Sequence, residues 1–184
     1  RRRHARGAGG DFLAASRAAL TLSKNLRAVE LSCADAQPES IDEDVLESLV
    51  EALPKSIEVL SITECKALAD PQRLSGIKRL KKLRSLSFEG TSLERLPDEL
   101  CDLSELRDLN LSSCLLLYQL PEPLGSCCAK LMKRVLNGCR RVELLPSSLS
   151  LLDHLAVLDL QDCTGLRGLP DLSGLNHLRN VGRH

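Results

Sequence analysis

The sequence predicts an α/β solenoid: an arc with about seven short parallel strands on its concave face and helices or irregular turns on its convex face. Three observations lead there. Strand-like runs end in cysteine four times, at Cys65, Cys114, Cys139 and Cys163, and the last three of these lie 25 and 24 residues apart. Each cysteine follows an inward Ile or Leu by three residues (Ile62, Leu111, Leu136, Leu160). A residue that returns at a fixed step of this size marks stacked repeats and not scattered reactive thiols. Thirdly, aromatic residues make up only 2% of the chain (Phe12, Phe88 and Tyr118, with no Trp) against 43% hydrophobic residues, so the core must be leucine. At 184 residues the chain is long enough to bury one such core without disulfides.

Residues 1–25 read as a basic arm followed by a capping helix, and residues 26–184 as the repeats. Arg1, Arg2, Arg3 and Arg6 precede Gly7, Gly9 and Gly10, which suits a flexible arm better than the remainder of an organelle-targeting sequence. Asp11 would cap a helix over Phe12–Leu22, placing Phe12, Leu13, Ala15, Ala19 and Leu20 over the open end of the stack. A solenoid needs such a lid, because its terminal repeat otherwise leaves core surface in water.

The repeats start at Leu26, Ile57, Leu83, Leu106, Leu131, Leu155 and Leu178, in steps of 31, 26, 23, 25, 24 and 23 residues. These steps bracket the ~20–29 residues of leucine-rich repeats, each of which supplies one strand and a returning segment. The fourth position of each copy reads Val29, Leu60, Leu86, Leu109, Arg134, Leu158, Val181, and only Arg134 breaks the pattern. In the first copy Ser40 and Glu43 form a capping box ahead of Val45, Leu46, Leu49, Val50 and Leu53, which predicts a true helix ended by Pro54. Asp70 and Pro71 then predict an N-cap and first turn for a shorter helix carrying Leu74, Ile77 and Leu80. Later returns carry Leu96-Pro97, Leu120-Pro121, Leu145-Pro146 and Leu169-Pro170. Proline removes a donor and fixes φ, so these returns are expected to be thin turns.

The stretch from Leu83 to Leu175 resembles the leucine-rich repeats of plant intracellular immune receptors. There, copies of the form L-x-L-x-x-C-x-x-L-x-x-L-P alternate with copies such as Phe88-Glu89-Gly90-Thr91-Ser92-Leu93-Glu94-Arg95-Leu96-Pro97. The first copy, Leu26 to Ser56, is similar to the longer helical repeats of ribonuclease-inhibitor type. The resemblance implies a leucine-rich-repeat fold and a recognition role. Nothing in these residues resembles a nucleotide-binding or signalling domain.

Twenty-five basic and twenty-five acidic side chains cancel, which removes the footprint of a nucleic-acid or anionic-membrane binder and leaves protein as the expected partner. No apolar run reaches the ~18–20 residues that cross a bilayer, so no membrane insertion is expected. Eight cysteines are present, but copies at one repeat position would be cross-linked only by distorting the stack, so reduced thiols in cytoplasm or organelle stroma are expected.

No cofactor, metal or catalytic residue is assigned. The ladder cysteine is small, tolerates burial and donates weakly, which suits a hydrogen bond to the adjacent copy, with Thr91 taking the part in the third copy. A straight column of thiols does not supply the tetrahedral ligands of zinc. Cys127 and Cys128 form a vicinal pair, one thiol expected in the core and the other outside, with a redox switch as the alternative reading. His154 and His177 each precede a strand leucine in a solvated corner, with no nucleophile motif nearby.

The partner-binding candidates are the outward strand positions and the row beside them. Acidic Glu30, Glu89, Asp108 and Asp159, with Lys133, face the concave side, and Arg27, Arg84, Arg107 and Arg179 occupy the second position of four copies. A partner segment is expected to lie across the carboxylates with its own acidic groups on the arginines. Two irregularities stand out. Arg134 is expected to force a local bulge that turns Val135 inward. The seventh copy stops at Val181-Gly182-Arg183-His184 with no cap, so either the chain continues or a partner chain covers that edge. The expected function is a non-catalytic protein-binding scaffold; the alternatives are a structural subunit of a large assembly, including an organellar one, or the sensor fragment of an immune-type receptor.

Overall fold

A computed structural model describes residues 2–6, 26–34 and 43–182, apart from the side chains of 2–6, Glu43 and Asn180. Eight parallel strands follow one another in sequence order across a single sheet. They are β1 (Arg2–Arg6), β2 (Ala28–Ser32), β3 (Val59–Thr63), β4 (Ser85–Ser87), β5 (Asp108–Asn110), β6 (Lys133–Val135), β7 (Val157–Asp159) and β8 (Asn180–Gly182). Strands β2 to β8 are the seven expected from the repeats. Their register aligns equivalent positions from copy to copy, Ala28 with Val59, Val59 with Ser85, and onward to Val157 with Asn180. Side chains therefore stack in columns.

Arg2–Arg6 departs from the expected free arm. It pairs along its whole length with β2, from Arg2 beside Ala28 to Arg6 beside Ser32. The edge of a parallel sheet presents a row of unpaired N–H and C=O groups, and an extended segment satisfies them. The capping helix expected over Phe12–Leu22 and the Ser40 capping-box residue lie outside the described residues.

The convex side thins along the chain as the prolines require. α1 (Glu43–Ala52) buries Leu46, Leu49 and Val50 and ends before Pro54. A 3-10 helix, Pro71–Arg79, follows; the Asp70 carboxylate accepts the Gln72 N–H at 2.9 Å, and Leu74 and Ile77 point into the core. Further on come short 3-10 turns at Asp98–Asp102 and Ser147–Leu151 and a single α turn, α2 (Leu124–Cys127). Between sheet and convex side runs one continuous core, almost wholly Leu and Ile, closed over by Phe88, Cys65, Cys114, Cys128 and Cys139.

Strands β3 to β7 each leave the sheet through one left-handed residue. Glu64, Gly90, Ser113, Gly138 and Asp162 have φ of 56°, 68°, 58°, 75° and 57°, and each immediately precedes a ladder residue (Cys65, Thr91, Cys114, Cys139, Cys163). That single reversal aims the next side chain inward. The thiols of Cys114, Cys139 and Cys163 donate to the carbonyls of Phe88, Leu111 and Leu136 in the preceding copy, all at 3.0 Å. Thr91 donates to the Phe88 carbonyl at 2.8 Å. The hydrogen bond expected to the adjacent copy is thus present at Cys114, Cys139 and Cys163, whereas Thr91 bonds within its own copy and Cys65 is paired with Cys33. Burial pushes the Cys114, Cys139 and Cys163 thiols upward in pKa.

Two expectations are corrected. Arg134 causes no bulge: it stays in register between Leu109 and Leu158 and is fully buried. Ladder bonds on both sides, from Leu111 N–H to the Val135 carbonyl and from Leu136 N–H to the Asp159 carbonyl, both 2.8 Å, hold the strand where its leucines at 131 and 136 need it. Secondly, four cysteines are paired as disulfides, Cys33 with Cys65 and Cys101 with Cys127. The Cα atoms in both pairs are 4.9 Å apart, which is at once the spacing of neighbouring strands and a distance a disulfide spans, so cross-linking neighbouring copies needs no distortion of the stack. Cys33 lies two residues after the inward Leu31, whereas Cys65 lies three after Ile62, so the first bond joins offset positions. Cys114, Cys139 and Cys163, which share one position, stay free.

Candidate functional site

The concave face displays the third, fifth and seventh positions of each strand, since the fourth and sixth point into the core. Five of the nine candidate residues meet there. Glu30, Glu89, Asp108, Lys133 and Asp159 line a trough of about 890 Å³, floored by small side chains such as Ser61, Ser85 and Ser87. Parts of it are internally braced. Asn110 donates to Glu89 at 3.0 Å while its own carbonyl oxygen accepts from the Ser112 N–H and hydroxyl, and Asp159 accepts the Gln161 N–H at 3.1 Å. Asp108 and Lys133 stand side by side in register, exposed, with no side-chain hydrogen bond or ion pair recorded for either among the described residues.

The other four candidates form a separate row on the edge where the chain enters the strands. Its alignment is set by carbonyls that each accept two N–H groups from the next copy, such as Arg27 from Glu58 and Val59, and Arg84 from Arg107 and Asp108. In that row Glu58 stands between two arginines, 2.8 Å from Arg27 and 3.7 Å from Arg84. Arg27 and Arg84 are thus partly neutralised by their own chain, a pairing invisible in the column of arginines alone because Glu58 comes from the intervening copy. Arg107 and Arg179 are exposed, and no ion pair is recorded for either among the described residues. Met132 and Ala156 fill the row between them.

His154 and His177 come together across two copies, with ring centroids 6.3 Å apart. Among the described residues no group of three or more His, Cys, Asp or Glu side chains converges as a metal site would require. Cys128 is buried, its pKa pushed up to about 11 by burial, while Cys127 is half-buried and bonded to Cys101. Among the described residues, no helix is long and apolar enough to cross a membrane.

Comparisons with known proteins agree with this geometry. TMV resistance protein N of Nicotiana glutinosa is 36% identical over 136 residues, 68% of this chain and 11% of that protein. Disease resistance protein RPS4B of Arabidopsis thaliana is 29% identical over 137 residues, 72% of this chain and 11% of that protein. The chain thus spans about a tenth of the length of these relatives. Among solved structures, the leucine-rich-repeat domain of the type III effector XopL superposes with a TM-score of 0.54 at 23% identity, covering 87% of this chain and 69% of that one. The plant peptide hormone receptor RGFR1, solved in complex with RGF2, gives a TM-score of 0.59 at 20% identity, covering 87% of this chain and 24% of that one. These likenesses establish the fold as a leucine-rich-repeat arc. The family model described as R13L1/DRL21 LRRs matches residues 10–114. With that match over more than half its length, and with its repeats stacked in the register described above, the chain belongs to the R13L1/DRL21 family of leucine-rich repeats.

Proposed function

We propose that the chain is a non-catalytic protein-binding scaffold, the recognition part of an intracellular receptor akin to the disease-resistance proteins it is similar to. The family and fold are generally non-catalytic. The observation that carries the reading is the concave trough, where stacking holds Glu89, Asp108, Lys133 and Asp159 on a floor of small side chains open to solvent. Such a surface suits an extended partner segment that offers cations to Asp108 and Asp159 and carboxylates to Lys133 and the unpaired Arg107. It lacks the buried aromatic anchors that concentrate binding energy, so affinity rests on many polar contacts and falls with added salt.

Affinity purification with the wild-type chain and with an Asp108→Lys/Asp159→Lys variant, followed by mass spectrometry, tests this reading. The wild type is expected to retain a protein that the variant loses. An identical set of retained proteins would sink the concave-face reading.

A second reading is favoured by the last two repeats. Leu166, Leu169, Leu172 and Leu178 are only half-buried there, and Val181 is 37% exposed. Further repeats or a partner chain covering this edge, as in a subunit of a larger assembly, would complete the core. If so, the chain alone self-associates in sedimentation runs, and Val181→Ser reduces that association.

A further inference from the structure

A second surface lies on the lateral edge where the chain leaves the strands. In the fourth copy Leu115, Leu116 and Tyr118 are 50%, 39% and 42% exposed, and in the fifth Leu144 is 67% exposed. A small backbone ladder lines up this edge. Tyr118 N–H donates to the Glu94 carbonyl at 2.9 Å, Arg95 pairs with Gln119 in parallel, and Arg167 N–H donates to the Glu143 carbonyl at 3.0 Å. Tyr118 and Leu144, with Arg140, Arg141, Glu122 and Glu143, line a depression of about 920 Å³. Single exposed leucines are ordinary on a protein surface, but Tyr118 and Leu144, from two adjacent copies, line one depression together, with Leu115 and Leu116 exposed on the same turn as Tyr118.

The charges around the patch are unevenly matched. Glu122 accepts the Ser147 N–H at 3.0 Å and the Ser147 hydroxyl, and Glu143 accepts from Arg167 at 3.0 Å. Both carboxylates are thus engaged within the chain. Arg140 and Arg141 are exposed, and among the described residues no side-chain hydrogen bond or ion pair is recorded for either. Counting Arg167 with the lining, three guanidinium groups stand against two carboxylates, a formal surplus of one positive charge beside Tyr118 and Leu144. Tyrosine and arginine are also the residue types that most often anchor protein interfaces.

We propose that this lateral depression is a docking site, separate from the concave trough, for a segment of another protein that sets an apolar side chain between Tyr118 and Leu144 and carboxylates against Arg140 and Arg141. Charge decides the occupant. A second copy meeting this face about a two-fold axis would bring the same arginines together, with only Glu122, already accepting from Ser147, to offset them in each depression. An acidic partner neutralises both guanidinium groups while covering the exposed leucines.

Selection of a random dodecapeptide phage library on the chain tests the site, with enriched peptides resynthesised and their binding read by fluorescence polarisation. The expected peptides are net acidic and carry a large apolar residue. Their affinity drops at least tenfold for Tyr118→Ser/Leu144→Ser and for Arg140→Glu/Arg141→Glu, and stays unchanged for the concave Asp108→Lys/Asp159→Lys variant. All six side chains reach solvent, and matching circular dichroism confirms that the variants fold. Failure to enrich any peptide, enrichment of basic ones, or binding that tracks the concave variant would overturn the proposal. So would a dimer in sedimentation that Leu144→Ser dissolves, which would assign the face to a second copy.

Discussion

Arg134 stands beside Leu109 in the ladder between β5 and β6, in the slot that leucine fills on both sides, with all three guanidinium nitrogens buried and lacking a hydrogen-bond partner. A buried charge without a partner is among the most destabilising features a fold can hold. Arg134→Leu is therefore expected to raise stability by about 2–4 kcal/mol, measured by urea unfolding. An unchanged midpoint would mean that the guanidinium finds a partner in solution.

The pH dependence of the same residue has a definite sign. Burial pushes its pKa down to about 10, well below the ordinary guanidinium value, so the folded protein gives up this proton before the unfolded chain does. The penalty is complete below about pH 10, and it shrinks as pH rises through about 10 towards the ordinary guanidinium value. The stability gap between wild type and Arg134→Leu should narrow across that window. A gap independent of pH would contradict the assignment.

Ser113 and Asp162 hold left-handed backbone at φ of 58° and 57°, where the equivalent residues of two other copies are Gly90 and Gly138. Glycine removes the Cβ strain of that conformation. Ser113→Gly should stabilise by about 0.5–1 kcal/mol, and Gly138→Ala should destabilise by a similar amount, read from thermal or urea unfolding.

The two disulfides close loops of 32 and 26 residues. Unfolded, non-reduced protein should titrate four thiols, from Cys114, Cys128, Cys139 and Cys163, and reduced protein all eight. By the chain-entropy estimate, each bond where formed contributes about 3–4 kcal/mol, so Cys33→Ser should lower the unfolding midpoint under oxidising conditions only. In a reducing compartment the leucine core carries the fold alone.

Gly125 lies where α2 meets the next copy, and a Cβ there would collide with the Ser148 carbonyl. Backbone cannot step aside as a flexible side chain can. Gly125→Ala is expected to cost about 2 kcal/mol or more by overpacking, seen as a lower unfolding midpoint. No loss would show that the convex side can spread.

The architecture was legible because its signal is repeated. Leu86, Leu109 and Leu158 recur in one slot, and seven copies of a pattern leave little freedom in register. The Pro97, Pro121 and Pro146 steps likewise announced thin convex turns. What could not be read was whatever depends on two copies at once. Glu58 between Arg27 and Arg84, the Cys101–Cys127 bond and the Tyr118–Leu144 patch all join residues 26 or more positions apart or on neighbouring turns. Arg134 was misjudged for a related reason: a local preference for bulging lost to hydrogen bonds made by the strands on either side. Even the candidate site divides this way, since the column of acidic residues follows from register alone while the pairing of its edge arginines does not.

The cysteine ladder also gives the stack a direction. Every thiol hydrogen bond runs backward, from Cys114, Cys139 and Cys163 to a carbonyl of the copy before, and each of those carbonyls already accepts a backbone N–H from its own turn. For the thiols alone, cutting the solenoid from its C-terminal end leaves behind only acceptors with a remaining bond, but the backbone N–H groups of Leu111, Ser113, Leu136 and Gly138 donate forward to the following copy and lose their partners there. Cutting from the N-terminal end strands a donor among apolar side chains. The thiols and the strand-exit N–H groups thus point opposite ways along the stack, so each internal turn is clamped from both sides and trimming at either end leaves donors for water to satisfy.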